Sequence, residues 1–484
     1  NNYSTMSKLD TDSEDFKLKI LRWLGKYGIK DLSLHFDSSL KDTYSKVVRC
    51  YTNRNYYLQE KNTVQRPKYD KNIVLETIDY VLKTDKQLFS SLNDKDREFL
   101  LEYQSNKMSE KEIYDWFNLY GNNLLDNVFK VLEQDVLPNN YKKRIFDKSL
   151  INQYTSLSAL QDIEKNITKC YQYKLGYKND NDELKESIVN VNINPKQNFS
   201  KHTKDKIMRT ILMLRRLNDK NLSDASLAVN LYFSESKKKI DSSKTKTKAK
   251  NLGSNNINSG VTVFMYDKSL PIITTVYRSE EMYKVLIHEL VHNFKYDFAF
   301  ADLELNISDF LNVSPNTKLT PNESYTEIVA LILHTMVESY IFDNKCNFDL
   351  FKLMLEYEAQ FSLFQCAKIL HFYGFKDVDD FFQRHDNLNR FKQNTNVFSY
   401  FFAKTSLLMN LGELFNFFNK YTNNFMLDKD NIQITKPIFE QLIISSLKKS
   451  NFKVGIAHYF NKIGKKESKD RSDLFTTLKM TLFA

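Results

Sequence analysis

Glycine and proline are scarce in this chain, 10 and 7 in 484 residues. Both punctuate the turns between short strands, so their scarcity argues against an all-β sandwich or barrel and for long helices. Cysteine is equally sparse. Cys50, Cys170, Cys346 and Cys366 are the only examples, and no two stand as a CxxC pair. Zinc ribbons and dithiol redox motifs are thereby excluded, and four scattered thiols read as reduced, buried residues of an intracellular protein. Long apolar runs are missing too. The most apolar stretch, Ile328 to Leu333, falls far short of the roughly 20 residues that a membrane span needs. Residues Asn1 to Asp15 are polar and mixed in charge, unlike a signal peptide, so the expected location is intracellular rather than secreted.

What is present is a hydrophobic content of 42%, ordinary for a folded chain and enough for a substantial core. The net charge is +10. A basic balance of this size is compatible with an anionic partner but carries no information on fold. Lys237-Lys238-Lys239 and Lys244 to Lys250 could grip a nucleic-acid backbone. No aromatic residue is interleaved to stack on bases, so a solvated loop is expected and nucleic acid is not the expected partner.

Residues 1–200 are expected to form a helical N-terminal region of unknown role. Phe16, Leu18, Ile20, Leu21 and Leu24 share one helical face, and Ile73, Leu75, Ile78, Val81 and Leu82 share another within Asn72 to Leu92. Ser109 with Glu112 three residues on is a helix start. Polar stretches near 60–70, 137–140 and 177–200 separate the helices.

From 201 to 484 the pattern changes. A helix over Asp205 to Leu217 precedes a strand over Leu227 to Phe233. Strands over Val261 to Tyr266 and Ile272 to Arg278 follow, joined by a turn at Lys268 to Pro271. Ser279 is the expected cap of the next helix, with Glu280 and Glu281 in its first turn, and Glu323 to Ala484 reads as long helices. The expected fold class is α+β, predominantly helical, with a small sheet.

The chemistry lies in His288-Glu289-Leu290-Val291-His292. On a helix, residues i and i+4 share a face, so the two imidazoles aim at one point, as zinc requires of two ligands. Glu289 is rotated away from them and reaches a water at the open zinc position. Val285, Leu286, Ile287, Leu290, Val291 and Phe294 make this helix apolar all round. Burying two histidines and a glutamate there costs several kcal/mol unless they are paired or metal-bound. With 8 histidines in the chain, chance supplies roughly 0.01 such motifs.

The continuation HExxHxxGxxH is absent, since Lys295 and Phe298 occupy its glycine and histidine positions. Asn322-Glu323-Ser324-Tyr325-Thr326-Glu327 instead resembles the NExxxD/E segment of gluzincins. That resemblance implies Glu323 as third zinc ligand and Glu327 as the acid that orients a ligand histidine. The reverse assignment is the alternative, and His334 is a weaker candidate ligand. Tyr400 is the candidate donor to a tetrahedral oxyanion, with His371 and His385 as alternatives. The strand from Ile272 to Arg278 would be the edge on which an extended peptide adds.

The stretches Asn258 to Thr262, Val276 to Glu281, Lys284 to Glu289 and Asn322 to Glu327, with Phe361 to Leu370 and Asn394 to Tyr400, resemble HExxH proteins encoded by large nucleocytoplasmic DNA viruses. The resemblance covers roughly residues 205 to 410. It implies a zincin-like domain, a zinc cofactor, and a place in the virion or host cytoplasm, with other virion proteins as partners. The expected function is a zinc metallopeptidase acting on peptide or protein substrates, with Glu289 as general base. The alternative is a catalytically silent zincin-fold structural or virion-associated protein.

Overall fold

The computed structural model describes residues 8–30, 32–61, 64–65, 92–105, 154–178, 182–217, 227–240, 251–263, 272–298, 319–320, 322–382, 391–427, 429–463 and 473–483, with a few further residues between 78 and 124. The chain is mixed α+β and predominantly helical, as expected. No helix among the described residues is long and apolar enough to cross a membrane.

Seven strands build one mixed sheet: β1 Tyr57–Glu60, β2 Val64–Gln65, β3 Lys169–Lys178, β4 Leu184–Ile193, β5 Leu227–Tyr232, β6 Gly260–Val263 and β7 Ile272–Val276. Their order is β1-β3-β4-β5-β7-β6, with β2 beside β3. β3 and β4 form a long antiparallel hairpin, β4, β5 and β7 run parallel, and β6 returns antiparallel on β7. Parallel neighbours need a crossover, and the helix Lys201–Leu217 lies in the one between β4 and β5.

The sheet revises three expectations. Lys169–Lys178 and Leu184–Ile193 are strands, not helix or polar separator: Tyr173, Leu175, Val189, Val191 and Ile193 are buried while polar side chains alternate with them. β7 is an inner strand; the edge is β6. The third concerns a charge run. Lys238, expected in a solvated loop, is buried and paired with Glu281 at 2.7 Å.

In chain order the described helices of more than one turn are α1 Lys8–Tyr27, α2 Ser39–Thr52, α3 Asp94–Gln104, α4 Leu157–Asn166, α5 Lys201–Leu217, α6 Met282–Asn293, α7 Asn322–Asp343, α8 Phe348–Tyr373, α9 Lys404–Met409, α10 Leu411–Tyr421, α11 Ile432–Lys448 and α12 Ser450–Ile463. Ile20 and Leu24 of α1 are buried as expected, whereas Leu18 faces solvent. Ser109 and Glu112 close the expected capping box, the Ser109 amide reaching Glu112 Oε2 at 2.8 Å. The helix over Asn72 to Leu92, the turn at Lys268 to Pro271, Lys244 to Lys250 and His385 lie mostly or wholly outside the described residues. None of the four cysteines is in a disulfide; Cys170 and Cys366 are buried as expected, whereas Cys50 is half-buried and Cys346 exposed.

α6 starts two residues later than expected, at Met282. Ser279 does not cap it; its hydroxyl donates to the Ser234 carbonyl at 2.8 Å. Glu281 occupies the cap position in a left-handed conformation, φ 60°. α6 lies against β6 and β7 on one side and α5 and α7 on the others. That burial on all sides explains why its sequence is apolar all round. α7 crosses α6 and carries the second acidic segment to it.

Candidate metal centre

Three side chains converge between α6 and α7. His288 Nε2 and His292 Nε2 are 3.2 Å apart. Glu323 Oε2 lies 3.3 Å from the first and 3.4 Å from the second. Tetrahedral ligands at zinc–nitrogen distances of about 2.0–2.1 Å stand roughly 3.3 Å from one another. The triangle therefore fits the ion without rearrangement. Glu323 Oε2 is buried and has no hydrogen-bond partner, which suits an oxygen aimed at a cation. Among the described residues this is also the group of histidine, cysteine and acid ligand atoms that could hold a metal.

Each ring is fixed from behind. His288 Nδ1 donates to Glu327 Oε2 at 3.0 Å, and Glu327 Oε1 pairs with the Lys284 ammonium. His292 Nδ1 pairs with Asp297 Oδ2, which also accepts from Thr326 Oγ1 at 2.7 Å. These bonds leave both Nε2 atoms as lone-pair donors to one point.

Electrostatics agree with a cation. Burial disfavours charged imidazoles, yet Glu323 and Glu327 around His288, and Asp297 and Glu323 around His292, outweigh it and push both upward. For Glu327 burial acts upward, but Lys284 and His288 pull its carboxyl down to about 2. Glu323 is held low by the two histidines against the same penalty. The cluster favours positive charge at its centre.

Glu289 stands beside this triangle, against the sheet edge. Thr262 Oγ1 of β6 lies 2.8 Å from the Glu289 carbonyl oxygen and 2.9 Å from its Oε2. Burial raises the Glu289 carboxyl above its usual range, the direction a general base working near neutral pH requires. Gly260 leaves room for it: a Cβ there would sit 2.7 Å from Glu289 Cγ and Oε1.

Tyr400 is brought to the centre, its ring edge-on to His288 at a centroid distance of 5.9 Å. It rises from a π-helical turn, Phe398–Ala403, an irregularity that re-aims side chains. Burial, then the nearby Glu323 and Glu289 carboxylates, push its hydroxyl far up, so it stays a donor. His371 is elsewhere, donating to the Phe460 carbonyl at 2.9 Å and stacked on that ring. His334 is a satisfied core histidine on the Phe483 carbonyl at 3.0 Å.

Asp297 and Thr326 were not singled out from sequence. The available signal was an acid five residues beyond the second histidine, legible only once the turn between them is known. Comparisons with protein-family models, curated proteins and solved structures give no match to this chain.

Proposed function

We propose that this protein is a zinc-dependent peptide hydrolase of the gluzincin type. The observation that carries the reading is the His288, His292 and Glu323 triangle of 3.2, 3.3 and 3.4 Å edges, with Glu289 beside it. A bound zinc would supply a Lewis acid for the scissile carbonyl and lower the pKa of a water. Glu289 takes the proton of that water and passes it to the leaving amine, anchored meanwhile by Thr262. Tyr400 donates to the developing oxyanion. β6, unpaired on its outer side among the described residues, offers backbone groups to an extended substrate strand. A base next to the ligand set favours catalysis over a purely structural ion, whose site would close all four positions with protein ligands.

The test is elemental analysis of purified wild-type, Glu289→Gln and Glu323→Ala proteins, followed by cleavage of a peptide library. One zinc per chain is expected in the first two and weakened binding in the third. Only wild type should cleave, with the glutamine variant at least about 100-fold slower. Zinc without any turnover would make the fold a silent structural protein; no zinc in wild type would overturn the metal site itself.

A further inference from the structure

Behind the ligands runs a chain segment whose backbone is held by buried ionisable side chains. Residues 477–483 follow a one-turn helix, Asp473–Thr476, and thread the interior, with Leu478, Met480, Thr481 and Leu482 all nearly inaccessible. The Met480 and Thr481 amides both donate to Glu281 Oε1 at 2.6 Å. The Leu482 and Phe483 amides donate to Glu358 at 2.9 and 3.2 Å. On the acceptor side, the Met480 carbonyl takes Lys404 Nζ at 3.0 Å and the Thr477 carbonyl takes Lys368 Nζ at 2.5 Å. The bonds to the Glu281 carboxylate are charge-assisted, the stronger kind, and the whole set comes from three helices, α6, α8 and α9.

We infer that residues 477–483 are an internal strap that positions the metal-binding histidine His288 through Glu281, Lys284 and Glu327.

The connection is continuous. Glu281 is the cap residue of α6, held left-handed at φ 60°. A non-glycine residue stays there only where surroundings impose it. Its two oxygens are committed, Oε1 to the strap and Oε2 to Lys238 at 2.7 Å. Three residues on, Lys284 Nζ lies 3.6 Å from Met480 Sδ, a weak acceptor, and pairs with Glu327 Oε1. With only a thioether on the strap side, the ammonium is directed at Glu327. Glu327 in turn holds His288 Nδ1 at 3.0 Å. The strap therefore sets both where α6 begins and which way its lysine points, and these fix the ring that would meet zinc. Lys284, Glu281 and Met480 are positioning residues; none touches the centre of the triangle.

This rests on the zinc reading, and the experiment separates the two. Zinc affinity is measured by chelator competition on the full chain for wild type, Lys284→Met, Glu358→Gln and Asn410→Ala. Each protein is also loaded with cobalt and its visible d–d bands recorded. Asn410 makes a buried hydrogen bond to Ser446 at 2.9 Å and serves as a control for general destabilisation. Lys284→Met should weaken zinc about tenfold and shift the cobalt bands. Glu358→Gln, whose hydrogen bonds go to the strap residues Thr481, Leu482 and Phe483, should move both readouts in the same direction, and Asn410→Ala should move neither. Wild-type protein without zinc affinity would overturn the metal reading. Wild type that binds zinc, with Lys284→Met and Glu358→Gln indistinguishable from Asn410→Ala, would overturn the strap alone.

Discussion

At the scale of single residues the candidate site divides into what spacing reveals and what only folding reveals. His288, Glu289 and His292 are legible because the helical period is local: four residues make one turn, whatever the rest of the chain does. Glu323 and Glu327 are legible by the same rule within their own helix, and the structure brings both to α6. Gly260 is not, since its role depends on a sheet edge touching a helix 25 or so residues later. Its missing side chain is what lets Glu289 lie against β6. An added Cβ would meet Glu289 Cγ at 2.7 Å and Val285 Cγ1 at 2.8 Å. Gly260→Ala is therefore expected to retain zinc while lowering kcat about tenfold or more, because the base is displaced and the ligands are not. Steady-state kinetics beside a metal determination checks this; loss of zinc together with activity would show instead that the whole α6 packing had shifted.

At the scale of elements, one turn explains a residue that spacing could not. After α6 the Lys295 amide bonds the His292 carbonyl and the Tyr296 amide bonds the Val291 carbonyl, at 2.9 and 3.0 Å, with Lys295 at φ 57°. This is a Schellman ending, usually built with glycine. The turn folds the chain back so that Asp297 meets His292 on the helix it has just left. The absence of glycine at position 295 removed one branch of zinc peptidases from consideration, yet the chain still turns there. A lysine in the left-handed region costs roughly 1 kcal/mol relative to glycine, partly offset by the greater unfolded-state freedom of glycine. Lys295→Gly should raise stability by about 0.5 kcal/mol, seen as a higher urea midpoint at unchanged slope. A lower midpoint would mean that the lysine side chain contributes more than its backbone costs. The strands β3 and β4 were illegible for a related reason. Their buried residues include Tyr173, Tyr177 and Asn192 among many polar neighbours, so alternation in apolarity is weak even though alternation in burial is clear.

At the scale of the whole molecule the expected division near residue 200 does not coincide with any break in packing. β1, β3 and β4 share a sheet with β5, β6 and β7, and a single buried cluster runs from Ile20 to Leu482. Residues far apart in sequence meet in its interior, and two ionisable groups that hydrogen-bond to the strap, His334 and Glu358, show how this couples to pH. Burial drives His334 down to about 4, with Glu338 opposing that shift and Lys206 and Lys284 adding to it. Between pH 6.5 and 4 the unfolded chain takes up a proton there that the native protein refuses, so acidification destabilises. Glu358 has the opposite sign. Burial raises it to about 6, so from pH 4.5 to 6 the native state keeps a proton that the unfolded chain has lost, and stability falls as pH rises. The histidine shift is the larger, worth up to about 3 kcal/mol, so acid destabilisation wins. His334→Gln keeps a donor for the Phe483 carbonyl but has nothing to titrate. It should therefore lose less stability than wild type between pH 6.5 and 4.5, or gain some as Glu358 takes over. Urea midpoints across that window decide it: parallel curves for the two proteins would remove His334 from the account, whereas a reversed slope in the variant would expose the buried glutamate that grips the strap.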